Sequence, residues 1–463
     1  MKKVKFLIIL FVCIISINSC KKNNADSEID NHECIAYEWV FPEGTKCNTT
    51  VYAEYKCIQC GKVSERSEQK KNHVFEEEEV LATCSEDGYY RKTCCDCGYT
   101  QEVIYPATGM HSYRYEITIK ATDDHYGYKR PICKMCGLKG ERVAYVNNGF
   151  SDHGKLSVNG ADLVDEYGEK FQLIGLSTHG LQWFNRYVNY ESFDAIHNEF
   201  GINVIRLALY TSEDGYCETD ESNQAFLYSK IVEGIKIATE LDMYVIVDWH
   251  MVGATNVNDK NPLYYKAEAM EFFSRISEEF KDYDNILYEI MNEPNGDTTW
   301  AECKAYANLV IPKIRENDAD AIILVGNPKW TADLNSVMAS PLEGYDNIMY
   351  TYHFYANGHY NFEQVRTAYQ KGFPVFISEH GGMNSSGDGL IDYESITNWY
   401  RILDQYNISY VAWNISNSNG SASILLPSNQ SLTDFSDSGL KEWGIWYKSW
   451  VRSKFGLPTK KTG

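Results

Sequence analysis

Two glutamates stand out among the 64 acidic residues of this chain of 463 residues. Glu293 and Glu379 each close an apolar run that has the character of a strand, where an unpaired carboxylate is costly to bury without a purpose. Glu289 shares the parity of Glu293 but lies deeper by roughly 13 Å of strand, so we interpret it as a structural ion-pair partner. Glycoside hydrolysis needs two carboxyl groups that face each other across one bond. The pattern therefore predicts acid–base chemistry by a pair of carboxyl groups.

The segments that must position these glutamates alternate between strands and helices from about residue 150 onward. Eight strands with helices between them, in about three hundred residues, are typical of a (β/α)8 TIM barrel. A doubly wound open sheet is the alternative, but the Gly-rich phosphate turn that it would need is missing. The predicted strands are 171–175, 203–210, 244–250, 286–293, 321–326, 348–355, 374–379 and 410–416, and the helices include 223–241, 264–280, 298–316, 362–372 and 393–406.

Polar and aromatic side chains collect where the predicted strands end. Active sites of (β/α)8 barrels lie at the carboxyl ends of the strands, and seven of the eight strands carry such residues there, which predicts a cleft at the barrel mouth. The candidates are His179, Trp183, Arg206, Tyr210, His250, Asn292, Glu293, His353, Tyr355, Glu379 and Trp413.

The residues around Glu293 also resemble a known family. Ile286–Pro294 reads ILYEIMNEP and resembles the signature of glycoside hydrolase family 5. Ser177–Trp183 is similar to the start of its bacterial cellulase branch, and the resemblance covers about residues 156–450. It implies a retaining β-glycanase that needs no cofactor for catalysis, with Glu293 as general acid/base and Glu379 as nucleophile.

The resemblance also implies roles for the neighbouring side chains. Arg206 and Tyr355 would hold the nucleophile ionised and oriented, and Asn292 would bond the 2-hydroxyl of the reacting sugar. His250 and His353 would line the cleft, with His353 supporting the acid/base. Two alternatives stay open: Arg206 could simply pair with the deeper glutamate, and His250 could be a core histidine with its hydrogen bonds satisfied.

An aromatic platform for sugar is implied at His179, Trp183, Tyr210 and Trp413. The family resemblance favours an endo-β-1,4-glucanase acting on β-glucan. Bacterial cellulases of this branch usually carry a Lys and a Glu after the last-strand Trp, but here Ser418 and Gly420 stand at those places. The substrate could therefore instead be β-mannan, xyloglucan or mixed-linkage glucan. An alternative of another class is a cell-surface glycan-binding protein with an inactive barrel.

Small Cys-rich modules at 31–148 precede the catalytic domain, which we place at 150–455. Pairs of the form C-x-x-C-G recur there every 37 to 39 residues, which marks about three repeated units. Structural zinc and disulfides are both compatible with this pattern. In the zinc interpretation the first two sites are His32, Cys47, Cys57, Cys60 and His73, Cys84, Cys94, Cys97; a third unit has His111, Cys133 and Cys136, with Asp123 in place of the single Cys.

The first twenty residues resemble a bacterial lipoprotein signal. Lysines precede an apolar run, Phe6–Ile17, that is too short to span a bilayer permanently, and Cys20 follows. This predicts an exported protein, either a cell-envelope lipoprotein anchored through Cys20 or an extracellular one, with a linker at 21–30. A formal charge of −21 excludes nucleic acid as a partner. No pattern in the sequence specifies an oligomeric state.

Overall fold

The computed structural model describes residues 34–122 and 125–458. The chain divides into two compact units, Met1–Ala107 and Thr108–Gly463. The predicted signal segment with Cys20, the linker, His32 and Asp123 lie outside the described residues. Among the helices of the described part, none combines the length and the apolar character that crossing a membrane requires.

The first unit contains two antiparallel sheets of three strands each. In both, a C-x-x-C-G turn joins the second strand to the third, and the glycine donates its backbone N–H to the first cysteine (Gly61 to Cys57 and Gly98 to Cys94, both 2.9 Å). These glycines have φ of 71° and 69°, a left-handed conformation that favours glycine. The strands are β1 (Tyr37–Val40), β2 (Thr50–Cys57), β3 (Val63–Lys70), β4 (Phe75–Val80), β5 (Gly88–Cys94) and β6 (Thr100–Tyr105).

The cysteines of this unit group differently from the predicted zinc sites. Cys47 lies near His73, Cys94 and Cys97, whereas Cys34 lies near Cys57 and Cys60; Cys84 belongs to neither group. The single cysteine precedes the second strand of its own module, and its predicted C-x-x-C partners follow that strand. For Cys47 that strand is β2, whose eight residues span roughly 26 Å. The predicted ligand sets are corrected accordingly, because each pairs side chains at opposite ends of a strand.

The second unit begins with a third sheet of the same kind, in which Gly137 donates to Cys133 at 3.0 Å. A short helix and a β-hairpin follow it and lead into the barrel. These elements are β7 (Tyr113–Ile119), β8 (Gly127–Cys133), β9 (Val143–Tyr145), α1 (Phe150–His153), β10 (Ser157–Asn159) and β11 (Asp162–Val164).

Eight parallel strands then form a closed barrel, in chain order, with the last pairing with the first. They are β12 (Ile174–Thr178), β13 (Val204–Tyr210), β14 (Tyr244–His250), β15 (Ile286–Glu289), β16 (Ile322–Val325), β17 (Ile348–Tyr355), β18 (Val375–Gly381) and β19 (Tyr410–Ile415). The helices around them are α2 (Leu181–Phe184), α3 (Tyr190–Phe200), α4 (Glu221–Glu240), α5 (Lys266–Glu279), α6 (Trp300–Arg315), α7 (Pro328–Thr331), α8 (Leu334–Ala339), α9 (Phe362–Gln370), α10 (Tyr393–Gln405) and α11 (Glu442–Lys454).

The barrel prediction is confirmed, and the five predicted long helices agree with the structure to within two residues at each end. Two strand bounds were wrong. The first barrel strand is Ile174–Thr178, not 171–175, and the fourth ends at Glu289 rather than at Glu293. Asn292 and Glu293 lie beyond the fourth strand because their backbone N–H groups donate to the carbonyls of Trp249 and Met251 in the neighbouring strand and loop, at 3.2 Å each.

Apolar packing fills the barrel interior at its amino-terminal end. The residues there form a separate small core, which Leu163 of the β-hairpin covers. A larger core lies between the strands and the surrounding helices. Since side chains alternate along each strand, the inward positions change from apolar at this end to polar at the mouth, where the candidate residues lie.

Candidate active site

Arg206 in β13 is fully buried and contacts five polar side chains, one of which is Ser177 in β12, at 3.4 Å from its Nη1. Its Nε donates to Glu289 (2.7 Å), its Nη1 to Glu379 (3.3 Å), and its Nη2 to Asn292 (2.7 Å) and Asp248 (3.0 Å). Burial opposes the charge, but these carboxylates, Asp248 first, raise the pKa of Arg206. Both contacts predicted for this arginine are therefore present, since one guanidinium pairs with the deep glutamate and with Glu379.

Glu379 in β18 is held through both of its carboxyl oxygens. The hydroxyl of Tyr355 donates to Oε1 at 2.8 Å, and Arg206 donates to Oε2. Burial first, and then the nearby carboxylates, raise the pKa of Tyr355 well above its usual value, so the phenol keeps the proton that it donates. Glu379 thus accepts from two donors, one of them a cation, which fix its orientation.

Glu293 lies opposite, in the loop after β15, with a side chain that is 12% exposed. Its Oε1 is 2.9 Å from Nδ1 of His353, which is the only hydrogen-bond partner of this carboxyl group among the described residues. Carboxyl oxygens of Glu293 and Glu379 lie within 4.8 Å of each other. The two glutamates therefore face each other, and Glu379 has two donors on its carboxyl group while Glu293 has one.

His353 in β17 connects Glu293 to the buried charges below it. Its Nε2 lies 2.9 Å from Oγ of Ser378, which donates to Glu289 at 2.6 Å. Burial lowers the pKa of His353, but its interactions with Glu289 and Glu293 outweigh burial and raise this pKa to about 9. The imidazole is therefore doubly protonated at neutral pH and donates in both directions.

The charge on His353 predicts how stability depends on pH. The folded protein keeps a proton there up to about pH 9, whereas an unperturbed histidine releases it near 6.5. The stabilisation is thus complete below 6.5 and is lost as pH rises through about 9. We expect the free energy of unfolding, measured with urea, to fall over this range, and less steeply in His353→Asn. His125→Asn, at an exposed histidine outside the barrel strands, should keep the slope; an unchanged slope in His353→Asn would contradict the assignment.

His250 is neutral and fixes Asn292 from the side. Its Nδ1 donates to Asp248 at 2.6 Å, and burial first, then the charge of Arg206, lowers its pKa to about 3. The Asn292 amide nitrogen lies 3.4 Å from Nε2 of His250 and donates to the Met251 carbonyl at 3.1 Å. His250 thus has its hydrogen bonds satisfied, as the open alternative expected, and also lies in the wall of the cleft.

Aromatic rings form one wall beside the two glutamates. His250 stacks on Trp413 (5.1 Å between centroids, 8° between planes) and on Tyr210 (4.2 Å, 29°). His179 is parallel to Tyr210 at 6.1 Å, and Trp183 meets the edge of Tyr210 at 5.0 Å. Burial, and then the neighbouring His250, lower the pKa of His179 to about 4, so this ring is uncharged. Trp183 is 43% exposed, which leaves part of its indole free for a ligand.

Two residues at the mouth were missed by the sequence analysis. Asp248 lies in a predicted strand but was given no role, and it orients both Arg206 and His250. Trp330 follows β16, is 55% exposed, and donates its backbone N–H to the carbonyl of Pro294, next to Glu293. Its backbone is left-handed, with φ of 57°, a conformation that costs roughly 1–2 kcal/mol for such a residue. A Trp shortly after the fifth predicted strand is the sequence signal that could have identified this residue.

The loop after β19 is held by a lysine that lies more than 20 residues further along the sequence. Nζ of Lys441 donates to the carbonyls of Ser418 (2.7 Å), Asn419 (3.0 Å) and Gly420 (2.6 Å). Ser418 and Gly420 occupy the places of the charged residues usual in bacterial cellulases, so this loop presents neutral side chains. The ammonium group of Lys441 is engaged with the backbone carbonyls of this loop.

The close approach of the two carboxyl groups agrees with one of the two classes of glycoside hydrolase. Retaining glycoside hydrolases place them about 5–5.5 Å apart, whereas inverting enzymes need about 6.5–9.5 Å to admit a water molecule. Oxygens within 4.8 Å, at the mouth of a closed barrel, fit the shorter separation of the retaining class. Residues 164–419 match the model of the cellulase family, glycosyl hydrolase family 5, and the chain belongs to this family.

Curated relatives are similar over the same region. Endoglucanase A of Butyrivibrio fibrisolvens is 45% identical over 298 residues, which cover 64% of this chain and 68% of that protein. An endoglucanase of Clostridium saccharobutylicum is 38% identical over 298 residues, 64% of each chain. The structure of the catalytic domain of a Thermobifida fusca endoglucanase, in complex with cellotetraose, matches with a TM-score of 0.61 and 35% identity, over 65% of this chain and 99% of that one.

These comparisons confirm the predicted barrel, the family and the glycoside hydrolase class. The names of the relatives agree with the predicted endoglucanase activity, and enzymes of this family need no cofactor for catalysis. The Cys-rich modules precede the matched residues. The roles of individual residues stay predictions.

Proposed function

We propose that the barrel is an endo-β-1,4-glucanase that hydrolyses β-glucan by double displacement, with Glu379 as nucleophile and Glu293 as acid/base. The observation that carries this proposal is the contrast between the two facing carboxyl groups. Glu379 is buried and accepts from two donors, a guanidinium and a phenol. Glu293 has a single histidine partner and a partly open side, where a leaving group and water can reach it.

In the first step, a carboxylate oxygen of Glu379 attacks the anomeric carbon of the bound sugar. The glycosidic C–O bond breaks, and the proton of the Glu293 carboxyl group moves to the departing oxygen. The products are a glycosyl ester on Glu379, an ionised Glu293 and a shortened glucan with a new hydroxyl.

In the second step, water attacks the same anomeric carbon. Glu293 takes a proton from this water, the ester bond to Glu379 breaks, and both glutamates return to their starting states. Because the anomeric carbon is inverted twice, the product keeps the β configuration.

The buried polar side chains act as positioning residues for the pair. Arg206 and Tyr355 hold the nucleophile charged and in one orientation. Asn292 accepts from Arg206 with its amide oxygen, which has a second lone pair to accept a bond from the 2-hydroxyl of the reacting sugar. His353, which carries two N–H groups, orients Glu293, and His250 fixes Asn292.

The aromatic wall provides the sugar-binding surface. The apolar faces of pyranose rings pack on flat rings, and Trp183, Tyr210, His179 and Trp413 lie together beside the catalytic pair. Trp330, whose backbone is bonded to Pro294, lies on the side of the acid/base and would contact the leaving-group part of the chain.

The substrate assignment rests on the cellotetraose complex of the relative and on endoglucanase relatives at up to 45% identity. The neutral loop at Ser418–Gly420 keeps β-mannan, xyloglucan and mixed-linkage glucan as alternatives on the same mechanism. Purified protein should be assayed on a soluble polymer of each kind for new reducing ends and for loss of viscosity. We expect carboxymethylcellulose to lose viscosity early, as internal cleavage requires. A higher kcat/KM on mannan would overturn the glucan assignment, and binding without hydrolysis on every polymer would favour the inactive glycan-binding protein.

We also propose that the protein is exported and anchored by a lipid on Cys20, on the basis of the lipoprotein-like signal. Cys20→Ser should move the enzyme from the membrane fraction of an expressing bacterium to the soluble exported fraction. If the unaltered protein is already released to the same extent, the lipid anchor is contradicted and the enzyme is secreted without one.

The Cys-rich modules are proposed to bind structural zinc instead of forming disulfides. Thiolate and imidazole ligands suit tetrahedral Zn²⁺, and three thiols and one imidazole converge at Cys47, His73, Cys94 and Cys97. Zinc measured in the purified protein by elemental analysis tests this, and a metal-free protein with all of these thiols oxidised would favour disulfides.

A further inference from the structure

In the first compact unit, four metal-ligating side chains converge from two consecutive modules. Their ligand atoms all lie within 4.8 Å of one another. Cys47 lies in the connection between β1 and β2 of the first module, and His73 lies between β3 and β4. Cys94 and Cys97 form the turn between β5 and β6 of the second module. Neither module supplies the complete set by itself.

The distances within this group fit a tetrahedral zinc site. Thiolates bound to zinc at about 2.3 Å in tetrahedral geometry are about 3.8 Å apart, and Sγ of Cys47 lies 3.7 Å from Sγ of Cys94. Sγ of Cys97 lies 3.4 Å from Nδ1 of His73. A disulfide would need its two sulfurs at about 2.05 Å, so the arrangement is that of ligands around a common centre.

Contacts outside the four ligands also join the two modules. Nε2 of His73 lies 2.9 Å from the side-chain amide of Asn48, which can turn its oxygen to accept the ring N–H of a histidine bound through Nδ1. Within the second module, the His73 ring stacks on Tyr99 at 4.9 Å, which fixes this ligand beside the C-x-x-C turn. Lys71 and Asp96 form an ion pair at 3.2 Å.

Few buried apolar side chains are available to hold one module against the next. Among the described residues of the first unit, the buried apolar side chains are Ala53, Cys57, Cys84 and Cys94. Domains this small need a disulfide or a metal to supplement their core. A ligand group that draws on two modules would stabilise their arrangement as well as each turn.

We infer that one zinc ion, bound by Cys47, His73, Cys94 and Cys97, joins the first module to the second. The inference rests on the proposed zinc binding and adds that the ion is shared between modules. The first C-x-x-C turn is grouped with Cys34, which comes from the preceding segment of chain. In the third module His111 Nδ1 lies 3.6 Å from Sγ of Cys136, so the histidine next to the turn recurs there. A ligand supplied from outside each turn is thus a property of the repeat.

Thiol reactivity in two paired variants of the full mature chain tests the sharing. A zinc-bound thiolate is masked from alkylation, whereas a released thiolate is a nucleophile. Cys94→Ser/Cys97→Ser removes two ligands of the shared site, and we expect iodoacetamide to label Cys47 at least about tenfold faster, as read by peptide mass spectrometry. Cys57→Ser/Cys60→Ser removes the turn of Cys47's own module and should leave Cys47 protected. The reverse pattern would overturn the sharing and leave each ion within one module.

Two further measurements keep the result decisive if a double variant fails to fold. Zinc content of the unaltered chain is measured first, and a metal-free protein would overturn both the zinc proposal and the sharing. Cys47→Ser alone should lower zinc affinity at one site by more than about 100-fold, because even an outer partner of a zinc ligand contributes 10–100-fold. Cys95→Ser, at an exposed cysteine outside the groups of candidate ligands, is the matched control, and loss of the same zinc there would contradict the site.

Discussion

Glu379→Ala should lower kcat on carboxymethylcellulose by a factor on the order of 10⁵ to 10⁶, the scale of losing a catalytic nucleophile. The variant loses the atom that forms the covalent intermediate, while the aromatic wall that binds glucan remains intact. We therefore expect binding to cello-oligosaccharides, measured by calorimetry, to stay within about tenfold of the unaltered protein, because the truncation removes no sugar-stacking ring.

Azide provides a specific test of the role of Glu379 as nucleophile. In Glu379→Ala the anion can occupy the space of the carboxylate and attack an activated aryl β-cellobioside from the same face, so the product should be the α-glycosyl azide. Glu363→Ala, at an exposed glutamate of α9, is the matched control and should change kcat by no more than about twofold. Hydrolysis at an unchanged rate in Glu379→Ala would remove the assignment of the nucleophile.

Glu293→Ala should lower kcat on polysaccharide by roughly 10²–10⁴, the usual contribution of a general acid or base. The loss should depend on the leaving group, because a glycoside with an acidic phenol departs without protonation. On such a substrate the first step survives and the glycosyl ester on Glu379 accumulates. Intact-protein mass spectrometry should detect this ester as an added disaccharide mass after a rapid quench.

Azide again separates the two glutamates. In Glu293→Ala it should replace water as the second nucleophile, speed up turnover of the activated glycoside, and give the β-glycosyl azide. The two variants thus yield products of opposite configuration. An α-azide from Glu293→Ala and a β-azide from Glu379→Ala would mean that the two roles are exchanged.

The sequence by itself determined the barrel and the family, and it singled out the pair of glutamates as candidates. Apolar runs buried on both faces of a strand, separated by amphipathic stretches, leave few ways to bury that surface, so their number and order predict the fold. The residues at the strand ends follow from it, because all carboxyl ends of a parallel barrel lie at one mouth. The family signature then fixed which glutamates to compare.

The sequence predicted the exact ends of the strands and the conformation of the turns less well. The fourth strand ends at Glu289 because the next backbone N–H groups bond to the neighbouring strand end and loop, a choice that depends on the register between strands. Trp330 was missed because the turn that presents it is left-handed, which none of its residue types favours.

Only the tertiary structure decided how the charges are shared and which cysteines meet. Arg206 contacts three carboxylates and His353 two glutamates across sequence separations that no local pattern encodes. The charge of His353 follows from these contacts outweighing burial, a balance of distances. In the sequence, each single cysteine was predicted to bind zinc together with the C-x-x-C turn of its own repeat. A strand separates the cysteine from that turn. Packing between modules therefore brings Cys47 to the turn of the second module.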